Sequence, residues 1–442
     1  MAATPAGRSD RRYYREDNMG ISAMRRRQAI AVLLAGTGAF ALSAGIATAA
    51  EAVKIGCVLP LSGGSASVGN QTRVGAQVGV AQINAAGGIK SLGGRPLEVV
   101  FADSQSKADV GVSETERLII SEQVKVLCGA FNSAVTFPST EVAERNKTPW
   151  VAVGAVKDEI TERNFHYVFR INNKATYDAR EQLDAMDMLA KETGHKPKTL
   201  AILYEGSDWG RSHAANIKKL VGERGYEIVL DEAAPPNQID FSNQLLKIRS
   251  ARPDALIVAF YTPDHLLLTR QLMEQQLDVP FGIHSVGGGT EDPAFYAALP
   301  KEAVEYTFVQ EDWQIDKLAH TDDKQILDAN DTFRKDIGYD FTAYGAQGYS
   351  AMYVIADALE RAASDDREKL RSALSQTKIT AGPALLPGYQ EISFDEQGQN
   401  THAHGVISQV RDGKRQTIWP EANRAPEMKP VWPVPAWSDR GS

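Results

Sequence analysis

Short apolar runs alternate with segments of helical hydrophobic spacing in the first part of the chain. The apolar runs lie at residues 53–60, 97–102, 124–133 and 148–156. Apolar residues recur at helical spacing over residues 71–84 and 107–122 and after residue 133, and a Gly/Ser-rich loop is predicted at 61–70. Strands that alternate with helices in this way predict a parallel sheet covered by helices on both faces.

The same alternation restarts near residues 165–171. It predicts helices at 179–192, 212–224, 240–248 and 263–276, a turn at 205–210, and strands at 198–204, 226–231, 253–261 and 279–284. Beyond Tyr306 the pattern predicts helices at 323–335 and 345–363, short strands near 390–394 and 404–411, and an extended Pro/Trp-rich tail. The fold class is therefore α/β, with two Rossmann-like doubly wound lobes and a cleft between them.

One predicted strand ends in a short polar segment that leads into a helix. It reads VKVLCGAFNS over residues 124–133, and we expect Pro138 in the first turn of the helix, where a missing N–H costs nothing. Ligands of open α/β sheets bind beyond the carboxyl ends of strands, and a helix N-terminus favours an anion there. Ser133 would add a hydroxyl donor; the alternative is an ordinary serine in a strand-to-helix loop.

The first fifty residues have the pattern of an export signal. A positive segment at 24–27 precedes an apolar segment at 29–47, and small residues offer a cleavage site near Ala49–Glu51. We expect residues 1–50 to be an N-terminal extension plus signal peptide, by the general or the twin-arginine route, with translation starting at Met19 or Met24. No later segment is long and apolar enough to span a bilayer, so we expect no membrane anchor in the mature chain.

The net charge narrows the class of partner, and the length indicates the number of domains. Residues 1–50 contain 7 Arg and 3 acidic residues, so 41 basic and 53 acidic residues remain, a net charge of −12. This balance argues against a nucleic-acid partner, which needs a basic face. The remaining 392 residues are too many for one ordinary core, which favours two domains.

Two cysteines, Cys57 and Cys128, both fall inside predicted strands. So few cysteines do not make the disulfide framework of a small secreted domain. We expect two buried thiols, with a bridge between them as the alternative, because bridging needs a specific distance between the two residues.

No catalytic constellation is visible in the sequence. Phosphate-loop, dinucleotide-binding, nucleophile-elbow and zinc-protease motifs are absent. His402 and His404 have a spacing that would face one metal from a strand, but no Cys or acidic pair accompanies them. We expect no enzyme activity, no cofactor and no metal.

Several segments together resemble the leucine/isoleucine/valine-type periplasmic binding proteins. They are IGCVLPLSG near residue 55, GA…INAAGGI at 75–89, the strand with Asn132 and Ser133, DFS…LLKI…PDAL at 240–256, TAYGAQGY…ADALERA at 342–362, and FDEQGQN at 394–400. The resemblance spans almost the whole mature chain in order. It implies a type I periplasmic fold with a multi-strand hinge, a periplasmic location, and a monomer that closes on a small carboxylate or amino acid and delivers it to an inner-membrane ABC permease.

The resemblance also implies lobe boundaries and site residues. Lobe one would comprise residues 51–170 and 308–400, and lobe two residues 171–307 and 401–442. Ser133 is expected to bind the ligand through its hydroxyl and N–H, and the segment Gly154, Ala155 and Val156 through its backbone. Tyr261 is expected to contact it from lobe two. Four further residues are aligned more loosely: Asn132, Phe131, Trp209 and Tyr344. The aromatic residues have core packing as an alternative role.

Two positions depart from the family pattern. Val156 stands where amino-acid binders of the family have a threonine, and Ser285 stands at or near the place of the acid that pairs the ligand ammonium. Either Glu291 or Asp292 therefore reaches the ammonium, or the ligand is an amine-free acid such as an aromatic or keto acid, since an unpaired buried ammonium is costly. A sensory domain for a membrane receptor and an exported α/β enzyme are further alternatives.

Overall fold

The computed structural model describes residues 51–313, 318 and 321–440. The predicted signal segment, residues 1–50, lies outside the described residues. The fold is α/β with two mostly parallel sheets, which confirms the predicted class. No helix of the described part is long and apolar enough to cross a membrane.

The first sheet contains β1 (Val53–Leu59), β2 (Leu97–Asp103), β3 (Val126–Ala130), β4 (Trp150–Val153) and β5 (Val168–Arg170). All pairs are parallel, in the order β2-β1-β3-β4-β5. The order changes direction between β1 and β3, so the loops after these two strands diverge. This divergence opens a crevice at the carboxyl edge of the sheet.

The second sheet has the order β14-β13-β10-β9-β8-β6-β7. Its first five strands along the chain are parallel to one another, and β13 and β14 run antiparallel at one edge. The bounds, with those of a separate antiparallel pair β11–β12, are β6 (Thr199–Glu205), β7 (Glu227–Ala234), β8 (Ala255–Ala259), β9 (Ile283–Val286), β10 (Phe308–Glu311), β11 (Lys378–Ile379), β12 (Ile392–Ser393), β13 (Val406–Arg411) and β14 (Lys414–Trp419).

Helices cover the sheets in two groups that define the two lobes. Those of the first lobe are α1 (Ala66–Ala85), α2 (Ala108–Ile120), α3 (Ser133–Arg145), and, after the second lobe, α10 (Lys324–Ile337), α11 (Ala343–Ala362) and α12 (Arg367–Ser375). Those of the second lobe are α4 (Ala175–Thr193), α5 (Asp208–Val221), α6 (Ser242–Ala251), α7 (Thr262–Glu274), α8 (Pro293–Ala297) and α9 (Lys301–Val304).

Three segments connect the lobes: β5 to α4, β10 to α10, and β12 to β13. The first and third segments pair with each other, since Arg170 N–H donates to the Gly398 carbonyl (2.8 Å) and Asn400 N–H to the Arg170 carbonyl (2.9 Å). The buried guanidinium of Arg170 also donates to Gln399 Oε1 (2.6 Å) and to the Lys157 carbonyl (2.7 Å). These bonds form a multi-strand hinge; the lobe boundaries at 170, 307 and 400 stay a prediction.

The expectation of two free thiols is wrong, because Cys57 and Cys128 form a disulfide. These residues are register partners on the adjacent strands β1 and β3, with Cα atoms 4.5 Å apart. Their side chains therefore leave the sheet on the same face and meet. Strand register is a long-range property that the spacing of two cysteines does not report.

Several helices begin earlier than the sequence predicts, and two of them begin inside a predicted loop or turn. α1 starts at Ala66 inside the predicted loop, and α5 starts at Asp208 inside the predicted turn. Their glycines are required by packing, because a Cβ at Gly69 would lie 2.1 Å from the Pro60 carbonyl oxygen and one at Gly210 would lie 2.1 Å from that of Glu205. A helix that starts this close to the preceding strand needs small residues at the contact. Helix propensity alone predicts a loop there, because glycine is unfavourable in a helix.

Other differences concern positions that local pattern does not fix. α3 begins at Ser133, so Pro138 lies in its second turn rather than in its first. The strands β10 and β14 are absent from the prediction, and the predicted strand at 279–284 lies at 283–286 as β9. β10 is only four residues long and is held between β9 and β13, so tertiary pairing specifies it.

Candidate functional site

A cavity lies between the two lobes at the carboxyl edge of their sheets. Its walls come from the segments after β3, β4, β8 and β9 and from the first turns of α5 and α11. The hinge contributes residues from α4 and from the end of β10. This is where a doubly wound fold binds ligands, because the loops of each sheet diverge at this edge.

One end of the cavity is built to hold an anion. Ser133 is 1% exposed and is the first residue of α3. Its Oγ accepts hydrogen bonds from the backbone N–H groups of Val156 (3.3 Å) and Lys157 (3.2 Å). Since the oxygen accepts both bonds, the hydroxyl proton is left to donate into the cavity. The N-terminal partial charge of α3 adds to the attraction for an anion.

The Tyr261 phenol meets the same helix end from the second lobe. Its hydroxyl accepts from the Ser133 N–H and bonds the Asn132 side chain. Burial raises the pKa of Tyr261 well above its ordinary value, so the phenol is neutral at pH 7. It therefore supplies a neutral hydrogen-bonding group beside the anion-binding end.

Four aromatic rings line the middle of the cavity. Tyr261 stacks on Trp209 with ring centroids 4.6 Å apart, and its ring lies 5.5 Å from that of Phe131. Phe131 in turn meets Tyr344 edge to face at 4.9 Å. Gly154 has φ +73°, and a Cβ there would lie 2.8 Å from Phe131 Cδ2, so this position needs glycine.

The other end of the cavity carries three carboxylates. Asp178 Oδ1 accepts from Gln310 Nε2 (3.1 Å) and from Asn173 Nδ2 (3.1 Å). Asp312 accepts from Gln310 and Gln347, and its own N–H donates to Glu291 Oε1 (2.8 Å). Glu291 also bonds the Tyr344 hydroxyl. The groups that bond these three carboxylates are amides and a phenol, all of them neutral.

Burial and mutual repulsion raise the pKa values of these three acids. Burial, followed by the negative charge of Asp312, raises the pKa of Glu291 to about 8. Burial and the charge of Glu181 raise the pKa of Asp312 to about 7, and burial with the charges of Asp312 and Glu181 raises that of Asp178 well above its ordinary range. Among the described residues no cation contacts these three acids directly, and their raised pKa values mean that they hold protons near neutral pH.

Within residues 51–313 and 321–440, the ion pairs do not include Asp178, Glu291 or Asp312. The positive charge of Arg170 acts on Asp312 from a distance and lowers its pKa slightly against the larger effect of burial. Arg170 itself donates to the hinge, as described above. A cation bound in the cavity would therefore find carboxylates whose charge is not already paired.

Contacts across the mouth of the cleft join the lobes directly. Asp292 of the second lobe accepts from Ser67 Oγ (3.1 Å) and Gln71 Nε2 (3.3 Å) of α1. Lys157, after β4, forms an ion pair of 3.0 Å with Asp208 at the start of α5. The two lobes therefore lie in a closed arrangement around the cleft.

Most of the predicted site residues lie together around the cavity. Its lining includes Phe131, Ser133, Gly154, Val156, Trp209, Tyr261 and Tyr344. The other three lie nearby with different contacts. Asn132 donates to Ser65 Oγ (2.9 Å), the Ala155 carbonyl accepts from Arg170 (3.2 Å), and Ser285 Oγ pairs with Thr290 Oγ1 (2.8 Å) below the surface of the second lobe.

Among the lining residues that sequence reasoning missed, three have polar side chains: Asp178, Gln310 and Asp312. All three lie on segments next to the hinge. Asp178 directly precedes the predicted start of a helix, and the other two belong to the missed strand β10 or follow it. The signal available was the pair of acids, Glu311 and Asp312, directly after Gln310, but nothing local indicates that one of them faces the cleft. Of the two acids proposed to replace Ser285, Glu291 lines the cavity and Asp292 bridges the lobes.

Comparisons with known proteins agree with this architecture. Leu/Ile/Val-binding protein homolog 7 of Brucella abortus (strain 2308) is 29% identical over 398 residues, covering 88% of this chain and 96% of that protein. The leucine binding protein LivK of Thermotoga maritima MSB8 has a TM-score of 0.71 at 23% identity, covering 83% of this chain and 97% of that one. An ABC transporter solute binding protein of R. palustris in complex with benzoate has a TM-score of 0.70 at 20% identity, covering 83% and 95%.

The two structural likenesses have identities under 25% and establish the type I periplasmic binding protein fold alone. The sequence match decides the family. The model of the periplasmic binding protein family matches residues 52–414, most of the chain. The chain therefore belongs to the periplasmic binding protein family, a family of extracytoplasmic solute-binding proteins rather than enzymes.

Proposed function

We propose that this protein is the solute-binding component of an ABC importer and that its ligand is an amino acid. The observation that carries the proposal is the polarity of the cavity. Ser133 and the start of α3 offer donors at one end, and Asp178, Glu291 and Asp312 offer acceptors at the other. A zwitterion with a carboxylate and an ammonium group matches both ends.

The acidic end argues against an amine-free acid. A benzoate-like ligand would satisfy the Ser133 end but would bring a second negative or apolar group toward three buried carboxylates. An ammonium group would instead pair with a carboxylate in a site of low dielectric constant. The names of the relatives support both ligand classes, because one is a leucine binding protein and another contains benzoate.

Closure of the cleft would couple binding to delivery. The proposed ligand bridges Ser133 of lobe one and Glu291 of lobe two, so it favours the closed arrangement. The inner-membrane permease would then recognise the closed protein, which acts as a monomer in the periplasm. The predicted lobe boundaries, residues 51–170 with 308–400 and 171–307 with 401–442, are part of this proposal.

Isothermal titration calorimetry of the mature protein tests the ligand class. We expect heat of binding with one or more of the twenty common amino acids and none with benzoate or 4-hydroxybenzoate. Binding of only the aromatic acids would overturn the amino-acid assignment and favour the amine-free alternative that Val156 suggests. Binding of neither class would argue against a carboxylate ligand altogether.

A further inference from the structure

We propose that the ligand is a cationic amino acid, whose α-ammonium pairs with Glu291 and whose side-chain cation lies between Asp178 and Asp312. This inference rests on the proposed function, because it assumes an amino acid in the cavity. It goes further in assigning the side chain a positive charge. It is carried by the number, spacing and hydrogen bonding of the three carboxylates together with the aromatic walls beside them.

The first step is the balance of charge. One ammonium group neutralises one carboxylate, whereas three carboxylates line the cavity. No lysine or arginine is among the lining residues of the described chain. A ligand with a single ammonium group therefore leaves two of these buried acids either protonated or ionised without a cation, and ionisation without a cation is costly in a closed site. A second positive charge on the ligand would let another of these acids ionise with a partner.

The second step is the spacing of Asp178 and Asp312. Gln310 Nε2 lies 3.1 Å from Asp178 Oδ1 and 3.5 Å from Asp312 Oδ1, so these two oxygens are at most 6.6 Å apart. Gln310 Nε2 already lies between these two oxygens, so a cationic nitrogen would contact the two neighbouring carboxylates through their remaining lone pairs. Glu291 is held separately by the Asp312 N–H and by Tyr344, which leaves it to the α-ammonium.

The third step is the direction of the hydrogen bonds around these acids. Asn173, Gln310 and Gln347 all donate to Asp178 or Asp312 through side-chain amides. A protonated carboxyl group needs an acceptor, whereas an ionised one accepts only. The surrounding donors thus suit the ionised acids, and a bound cation would stabilise that state.

The fourth step is the aromatic surface between the two ends. Trp209 and Tyr261 stack at 4.6 Å, and Trp209 is 5% exposed. Aromatic faces pack against the aliphatic stem of a long side chain and attract a cation. The same surface would also accept an apolar side chain, so it supports the proposal only together with the carboxylates.

Matched ligands test the charge of the side chain by isothermal titration calorimetry at pH 7.5. L-Lysine is compared with L-norleucine, and L-arginine with L-citrulline, since each pair is similar in length and differs in charge. We expect at least one cationic ligand to bind ten times more tightly than its neutral partner. Equal or tighter binding of both neutral partners would overturn this inference and leave the amino-acid assignment standing. Absence of binding by all four, and by leucine, would contradict both.

Variants locate the side-chain cation. Asp178→Asn keeps an oxygen for the Asn173 and Gln310 amides but removes the charge, so we expect it to abolish the preference for the cationic ligand while norleucine binding changes less than threefold. Asp312→Asn is a second variant with the same expectation. The control is Glu305→Gln, because Glu305 is a buried acid that accepts from the Asp412 and Gly413 N–H groups and does not line the cavity. Retention of the preference in both Asp variants would contradict the assignment.

Discussion

At the residue scale, Ser133 is the contact with the clearest expected effect on affinity. Ser133→Ala removes the hydroxyl that would donate to the ligand carboxylate. Hydrogen bonds to charged groups contribute about 1.5–3 kcal/mol, so we expect the dissociation constant to rise about 10- to 100-fold. Calorimetry with the best amino-acid ligand measures the change.

Ser139→Ala is the matched control for this variant. Ser139 lies on the same helix and is buried, and its Oγ has no hydrogen-bond partner among the described residues. We expect its affinity to stay within twofold of the unchanged protein. Ser133→Ala also leaves the N–H groups of Val156 and Lys157 without their acceptor, so a thermal melt must show that it is folded. An affinity loss shared by both variants would remove Ser133 from the binding site.

The acidic end of the cavity makes stability depend on pH. Glu291 and Asp312 have pKa values of about 8 and about 7 in the folded chain, against about 4 in an unfolded one. The folded state therefore binds more protons than the unfolded state between these values. Stability decreases as pH rises through this window, by up to about 1.4 kcal/mol per pH unit for each such group. Urea unfolding of the ligand-free protein at pH 6.5, 7.25 and 8 measures the slope.

Other buried titratable groups also affect the slope measured in that experiment. The buried His213, His265 and His284 have pKa values lowered to about 4, about 3 and about 4, so the unfolded state binds more protons on them up to about pH 7, and they oppose the acids at the lower end of the window. Glu205, whose pKa burial raises to about 7, acts in the same direction as the cluster. Asp312→Asn should therefore flatten the slope without removing it. A stability that rises between pH 7.25 and 8, where the unfolded histidines are mostly neutral, would contradict the assigned pKa directions.

The residues of the site differ in how well the sequence predicts them. Ser133 follows a strand and starts a helix, and this local pattern together with the family resemblance identifies it. Asp178 and Asp312 reach the cavity only because the hinge folds α4 and β10 against it. Ser285 occupies the aligned position of the missing acid, yet Glu291 comes into the cavity from six residues further along the loop. Loops and the hinge place these side chains in the assembled structure, and a sequence alignment does not contain that information.

At the scale of elements, the glycine after β4 shapes the wall of the site. Gly154→Ala would add a Cβ at positive φ, 2.8 Å from the Phe131 ring. Gly194→Ala adds a Cβ at φ +74° with no atom within 4 Å, so it imposes the backbone strain alone. We expect both to lose about 1 kcal/mol of stability and only Gly154→Ala to weaken ligand binding as well. Unfolding and binding measured on both variants separate the effect of the ring contact from that of the backbone strain. Equal ligand affinity in the two variants would contradict a role of Gly154 in shaping the site.

The bridge between β1 and β3 is expected to stabilise the first lobe. Cys57 and Cys128 are 71 residues apart, and closing a loop of this length is worth about 4 kcal/mol in the chain-entropy model. Reduction, or Cys57→Ser with Cys128→Ser, should lower the melting temperature by several degrees. Thiol labelling in denaturant should find no free thiol before reduction and two after it. Two reactive thiols in the unreduced protein exported to an oxidising compartment would contradict the bridge.

At the scale of the whole molecule, the repeated strand–helix rhythm is sufficient to predict two lobes and a cleft. The local pattern alone does not predict how the chain passes between them, and the interleaved boundaries expected above rest on the family resemblance. β10 belongs to the second sheet, yet the helices that follow it pack on the first lobe, so the lobes are interleaved in sequence. The four-residue length of β10 carries too little local information to show this. The pairing of Arg170 with the segment at 398–400 is likewise set by the assembled hinge.

Closure of the two lobes depends on contacts that the ligand does not make. Asp292 at the cleft mouth accepts from Ser67 and Gln71 in lobe one and from Thr262 in its own lobe. Asp292→Ala should therefore reduce the closed population while the ligand contacts remain. Because apparent affinity falls with the fraction of competent protein, we expect the dissociation constant to rise about 3- to 30-fold. Small-angle scattering of the ligand-saturated variant should show a radius of gyration closer to that of the ligand-free protein.

Asp240→Ala separates this effect from a general loss of hydrogen bonds. Asp240 also accepts bonds through its carboxylate, from Ser242 and Gln271, but both partners lie in its own lobe. Its loss should lower stability slightly and leave affinity and the compaction on binding unchanged. If Asp292→Ala behaved in the same way, closure would be driven by the ligand alone. Weaker binding with incomplete compaction in Asp292→Ala only would mean that the cleft mouth and the ligand share the free energy of closing.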